Sequence, residues 1–224
     1  MGEWLEIGPS GSRAYLAVPQ RGAGAGVLVL HAWWGLTPVF TDICDRLAAE
    51  GFVALAPDIY GNGATTDSID EAEKLVGQHD SAPEIAKAIL QSGVETLRGL
   101  PPVAGDRIGV IGFSMGGYWA LHLSQANSPE VAAVVSVYGT GDADFTKASA
   151  SYLGHFGEND DFEPLDGVRA LESSIRDAGR DVTFHIYPGA RHWFVEPNRP
   201  EVYDPEAAAM VWEHTLEFLK SRLN

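Results

Sequence analysis

Short apolar runs alternate with amphipathic stretches along almost the whole of this 224-residue chain, and that alternation limits the folds open to it. The runs Val27–His31, Phe52–Ala56, Arg107–Gly112, Ala132–Val137, Ser151–Phe156 and Val182–Tyr187 are too short for helices. Most lack the in–out polarity of a half-exposed strand, so they read as strands covered on both faces. Arg13–Val18 reads as a leading strand. Between the runs lie helical patterns at Thr37–Glu50, Pro83–Arg98, Met115–Gln125, Leu165–Ala178 and Pro205–Arg222. Thr37-Pro38 is a helix-entry signal, and Gly51 and Gly99 are stop signals. Phe40, Ile43, Cys44 and Leu47 share one helical face, and Pro83–Arg98 carries Ile85, Ile89 and Leu90. Strand–helix alternation of this kind implies a mainly parallel, doubly wound α/β sheet with helices on both faces. No linker divides the chain, so one domain over 1–224 is the expectation. Tyr60–Ser81, rich in Gly, Asp and Thr, reads as a loop with a short helix over the sheet edge.

The sharpest local signal is Gly112-Phe113-Ser114-Met115-Gly116-Gly117. It matches G-x-S-x-G, follows a strand and opens a helix, which is the context a nucleophile elbow requires. On so tight a turn, side chains two residues either side of the serine would collide, hence the glycines. The turn lifts the Ser114 hydroxyl clear of the sheet and puts the Met115 N–H at a helix N-terminus, where it can donate to an oxyanion. A serine hydroxyl needs a base, and the base needs an acid to orient it. On folds with this elbow they follow in the order Ser, Asp or Glu, His. The acid then falls in Gly157-Glu158-Asn159-Asp160-Asp161-Phe162-Glu163-Pro164, with Asp160 the first choice and Asp161 the reserve. The base falls in Gly189-Ala190-Arg191-His192-Trp193-Phe194. His192 supplies the imidazole, and Trp193 and Phe194 supply a flank that excludes water.

The other histidines carry less. His31 ends a strand and can shape a neighbouring loop. His155 reads as packed or hydrogen-bonded. His79, His122, His185 and His214 show no ligand spacing, so neither a metal nor another cofactor is expected. Cys44, the single cysteine, reads as a core residue. The net charge of −16 argues against nucleic acid and anionic membranes as partners. No segment reads as a secretory signal, and no apolar run approaches the length of a membrane span, so a cytoplasmic protein with a small-molecule substrate is the expectation.

Taken together, these segments resemble the dienelactone hydrolase family of the α/β-hydrolase superfamily, over nearly the whole chain. The marks are His31-Ala32-Trp33-Trp34-Gly35-Leu36, Ala56-Pro57-Asp58-Ile59-Tyr60-Gly61, the elbow at Ser114, Gly157 to Pro164, Gly189 to Phe194, and a C-terminal run through Arg199-Pro200, Tyr203 and the helix ending Trp212 to Leu219. The resemblance implies a triad of Ser114, Asp160 and His192. Asp160 stands just before the x-Phe-x-Pro unit Asp161-Phe162-Glu163-Pro164, which selects it over Asp161. It also implies a second oxyanion donor, the Trp33 N–H, opposite Met115.

This chain departs from the family's best-known members twice. They carry a cysteine where it has Ser114, and a glutamate where it has Ala32. A thiol can be held in a managed protonation state by a nearby carboxylate. A serine has no accessible anion to manage, so the two changes agree with each other. The expected activity is hydrolysis of small esters or lactones through an acyl-enzyme, rising through roughly pH 6–7.5 as the base becomes neutral. Trp34, Tyr60, Trp193 and Phe194 are the candidate pocket residues, with Tyr138 nearby. Arg191 and Arg199 lie near the base, and Glu196 stands where a cation would suit an anionic lactone. The alternatives are a thioesterase or other acyl hydrolase on the same fold and, from a different class, a non-catalytic binding module. A phosphate-binding loop ranks below both, since the glycines around Ser114 lack the accompanying lysine.

Overall fold

The computed structural model describes residues 2–223, and among them are eight strands and six α-helices. The backbone gathers into two compact units, Met1–Ile108 and Gly109–Asn224.

The first unit contains β1 (Glu3–Ile7), β2 (Ser12–Ala17), β3 (Gly26–Leu30), α1 (Pro38–Ala49), β4 (Val53–Pro57), α2 (Ile69–Asp80) and α3 (Pro83–Gly99). Its strands lie in the order β1-β2-β4-β3. β1 and β2 run antiparallel, as do β2 and β4, while β3 and β4 are parallel, with Val27 beside Ala54 and Leu28 beside Leu55. Every residue of β3 and β4 is buried, which is why their sequences show no polar alternation. α1 begins where Pro38, lacking an N–H, occupies the first turn, and it buries Phe40, Cys44 and Leu47.

Three features of this unit differ from the sequence reading. β1 has no counterpart in it; only Ile7 of this strand is buried, so there is no apolar run to betray it. The stretch read as a loop with a short helix contains the 12-residue α2, whose buried residues are Ala72 and His79 alone, too few to make an apolar stripe. Ile85, one of the apolar residues that mark α3 in the sequence, is 58% exposed; the buried face is Ala86, Ile89, Leu90, Gly93, Val94 and Leu97.

The second unit contains β5 (Ile108–Phe113, its first residue closing the unit before), α4 (Met115–Ala126), β6 (Val131–Val137), a single 3-10 turn (Phe145–Lys147), β7 (Ser151–Gly157), α5 (Leu165–Asp177), β8 (Val182–Tyr187) and α6 (Pro205–Leu223). The strands lie in the order β5-β6-β7-β8, with β6, β7 and β8 parallel. β8 is only partly buried, unlike the strands covered on both faces. Register sets where the loops of this unit emerge. Val137 lies beside His155, and Gly157 beside Tyr187. The C-terminal ends of three strands are therefore brought level, and the turns that leave them carry Tyr138, Asp160 and His192. Ligand sites on open parallel sheets gather at such ends.

Candidate active site

Ser114 sits between β5 and α4 with φ 52° and ψ −116°, outside the regions that non-glycine residues favour. A backbone of this kind costs about 1–3 kcal/mol and persists only when its surroundings hold it. Here they do. The Ser114 N–H donates to the Val137 carbonyl at 2.9 Å, and the Ser114 carbonyl accepts from Gly117 N–H at 2.7 Å. A β-carbon on Gly112 would run into the Gly116 backbone, and one on Gly139 into the Ser114 carbonyl, so both close approaches require glycine.

The hydroxyl on this turn meets His192. Ser114 Oγ lies 2.9 Å from His192 Nε2, and His192 Nδ1 lies 2.7 Å from Asp160 Oδ2. An ionised carboxylate can only accept, so Nδ1 carries the hydrogen and the Nε2 lone pair faces the serine hydroxyl. The other carboxylate oxygen, Oδ1, accepts the backbone N–H groups of Phe162 at 2.8 Å and Glu163 at 3.0 Å. Asp160 and His192 are buried, at 7% and 4% exposure. Asp161, the reserve acid, is exposed and stands 3.9 Å from Arg191 instead. The two acidic neighbours therefore divide, one inward to the imidazole and one outward to solvent.

Aromatic rings enclose the imidazole. Tyr138, Phe162 and Trp193 each have a ring centroid 4.9 Å from that of His192. Phe162 is half exposed, so it is the part of this enclosure that solvent reaches. Glu163 reaches back to the turn after β6, accepting from the Thr140 N–H and hydroxyl, and burial raises its carboxyl above the ordinary range.

The sequence suggests four aromatic residues at the substrate, and two need correcting. Trp34 and Phe194 are 1% and 0% exposed, and their rings pack against Trp33 and against Tyr138 and Tyr187. Both are core side chains: adjacency in sequence to a reactive segment does not decide which way a ring points. Trp193 faces His192, at 6% exposure. Tyr60 is half-buried, and its hydroxyl donates to the Trp33 carbonyl at 2.8 Å, which fixes the turn after β3 within the first unit.

That turn is held a second time by His31. Its Nδ1 lies 2.6 Å from the Ala32 carbonyl, and its Nε2 accepts the Ile59 N–H at 3.0 Å. Burial pushes the His31 pKa down to about 4, against smaller opposing effects of the Ala32 carbonyl and of Asp58. His155, as the sequence suggests, is packed and bonded, between the Tyr187 hydroxyl and Thr215 Oγ1. His185 and His214 stack on one another, ring centroids 4.2 Å apart, beside it.

Two residues with a structural claim on His192 are not assigned to it by sequence reasoning. Tyr138 has φ 40° and is fully buried, and its hydroxyl donates to Glu196 Oε1 at 2.8 Å. Glu196 is itself 1% exposed. The signals are present only as single letters: a tyrosine ending a strand and a carboxylate four residues past His192.

Comparison with known proteins places these features in a lineage. The model of the Dienelactone hydrolase family matches residues 12–223. The chain belongs to that family. A carboxymethylenebutenolidase of a Pseudomonas species is 31% identical, with 92% of this chain and 89% of the relative covered. Protein usf of Aquifex pyrophilus is 33% identical over the full length of both. Among solved structures, a dienelactone hydrolase-like promiscuous phosphotriesterase from metagenomic libraries superposes with a TM-score of 0.90 at 21% identity, covering 100% of this chain and 99% of its own, and shows the same α/β-hydrolase fold. This dienelactone hydrolase family member is thus an ester or lactone hydrolase on that fold. No helix among its described residues is long and apolar enough to cross a membrane.

Proposed function

We propose that the protein cleaves small carboxylic esters and lactones by acyl transfer to Ser114. His192 Nε2 takes the hydroxyl proton as Ser114 Oγ attacks the carbonyl carbon. Asp160 keeps the imidazole in the tautomer that can accept that proton, and it stabilises the cation formed. The tetrahedral oxyanion is received by the Met115 N–H at the start of α4 and, by family resemblance, by the Trp33 N–H. The imidazolium then protonates the departing alkoxide. In a second half-reaction His192 removes a proton from water as the water oxygen attacks the acyl-enzyme carbonyl, and then returns that proton to the departing Ser114 Oγ, releasing the acid and restoring the hydroxyl. The observation that carries this reading is the continuous relay from Ser114 Oγ through His192 to Asp160. A carboxylate, an imidazole and a hydroxyl in that order have little structural reason to be brought together at a strained turn.

The reaction calls on no cofactor, and a cytoplasmic setting agrees with the acidic composition. The test is hydrolysis of p-nitrophenyl acetate by the wild type and Ser114→Ala, together with a panel of dienelactone isomers, thioesters and amides. Loss of turnover in the variant with labelling of the wild type by a fluorophosphonate is the expected outcome. A variant that still turns over overturns the reading, and an unlabelled wild type favours a binding module.

A further inference from the structure

Besides Ser114, two non-glycine residues among those described have left-handed backbones, Tyr138 at φ 40° and Trp193 at φ 64°. Both touch His192: Tyr138 through its ring and Trp193 as the next residue along the chain. Conformations of this kind hold only where the surroundings over-determine them. The two turns share one such restraint. The Glu196 N–H donates to the Trp193 carbonyl at 2.9 Å, closing the turn after the base. The Glu196 side chain crosses to the other turn and accepts the Tyr138 hydroxyl at 2.8 Å. Arg199, whose own N–H donates to the Glu196 carbonyl at 3.0 Å, sets its guanidinium 3.9 Å from Glu196 Oε2 and over the Trp193 ring at 5.3 Å.

We infer that Tyr138 and Glu196 are positioning residues for His192: their buried hydroxyl–carboxylate bond ties the turn after β6 to the turn carrying the base, and so holds the tyrosine ring against the imidazole. Asp160 holds the Nδ1 edge of that imidazole and Ser114 meets the Nε2 edge, which leaves the tilt of the ring to its packing. The Tyr138 ring, 4.9 Å away and inclined at 56°, is one of the three rings that limit that tilt, with Phe162 and Trp193. The carboxylate itself argues for a role beyond filling space. Burying it is costly, and its own pKa is pushed up to about 7 by that burial, against the opposing Tyr138 hydrogen bond and Arg199 charge. An apolar side chain of the same length would fill the volume without that cost.

The inference rests on His192 being the base, and the experiment separates the two. Steady-state hydrolysis of p-nitrophenyl acetate is measured for the wild type, Ser114→Ala, Tyr138→Phe, Glu196→Leu and Glu196→Gln. Except for Ser114→Ala, which has no hydroxyl to label, each rate is divided by the number of sites that a fluorophosphonate labels at completion, and thermal unfolding is recorded in parallel. Tyr138→Phe and Glu196→Leu are expected to lower kcat per labelled site about tenfold to a hundredfold, with KM little changed, as for a misplaced reacting group. Glu196→Gln keeps an acceptor oxygen for the tyrosine and is expected to restore most of kcat. If Tyr138→Phe and Glu196→Leu melt earlier but keep kcat per labelled site, the pair is merely part of the core and the inference fails. It fails equally if Glu196→Gln is as slow as Glu196→Leu. Should Glu196→Leu not fold, Tyr138→Phe, which loses one oxygen, decides alone. Turnover surviving in Ser114→Ala would instead overturn the catalytic reading on which the inference stands.

Discussion

His31 in the first unit and His192 in the second are both buried, at 0% and 4% exposure, and both use both ring nitrogens. What they bond to differs. His31 is hydrogen-bonded to two peptide groups, the Ala32 carbonyl and the Ile59 N–H, neither of which can gain or lose a proton at ordinary pH, and the Asp58 carboxylate stands off at 4.0 Å from an Nε2 that already accepts the Ile59 N–H. His192 is bonded to a carboxylate and a hydroxyl. The first arrangement welds the end of β3 to the end of β4. The second leaves a proton with somewhere to go. Burial alone therefore says little about whether a histidine is chemical; the titratable character of its partners says much more.

That contrast can be broken in three ways. The largest effect belongs to the relay. Ser114→Ala and Asp160→Asn should each lower kcat by about 10⁴-fold or more, measured on an activated ester, with thermal unfolding little changed for Ser114→Ala. A smaller loss for Asp160→Asn than for an unrelated surface variant would remove the distinction between the two histidines. Next comes His31→Ala, which strands two buried backbone groups. It should cost about 2–4 kcal/mol of stability in urea unfolding and leave the acid limb of the kcat/KM pH profile where it stands. A moved limb would make His31 a chemical group after all.

The smallest effect is the way stability depends on pH. The folded pKa of His31, about 4, lies below its ordinary 6.5, so the folded chain binds fewer protons there than the unfolded chain. Its contribution is complete above pH 6.5 and is lost as the pH falls toward 4. Glu196 runs the other way. Its folded pKa of about 7 lies above the ordinary 4.5, so its contribution is complete below pH 4.5 and is lost as the pH rises through 7. Each spans on the order of 3 kcal/mol. Glu196→Gln should accordingly gain stability relative to the wild type on going from pH 5 to pH 8, read by urea midpoints at the two values. A constant difference between the two proteins would mean that the Glu196 carboxyl titrates as it does in the unfolded chain.

The sequence made the framework legible where one strong constraint acted on many residues. The strands β3 to β7 announce themselves because they are buried on both faces, and Ser114 because a tight strand-to-helix turn admits few residues around it. Chain order then narrows the search for an acid and a base to two short segments. β1 and α2 are hard to read for the opposite reason, since each buries too little to impose a pattern. The Tyr138–Glu196 bond is hidden more deeply. It joins residues 58 apart, and no local rule connects a tyrosine at one strand end with a glutamate in another turn. Trp34 and Phe194 show the same limit from the other side, because direction along a chain does not fix direction in space.

The strained bend under Ser114 has one more consequence. It is shaped by what the neighbouring glycines lack and by backbone bonds, none of which involves the atom at the end of the serine side chain. The fold thus supplies a socket and leaves its tip interchangeable. Sulfur could stand in for oxygen by a single substitution, with the scaffold unaltered and only the temperament of the reagent changed, from one that must be woken by its neighbour to one that must be kept quiet.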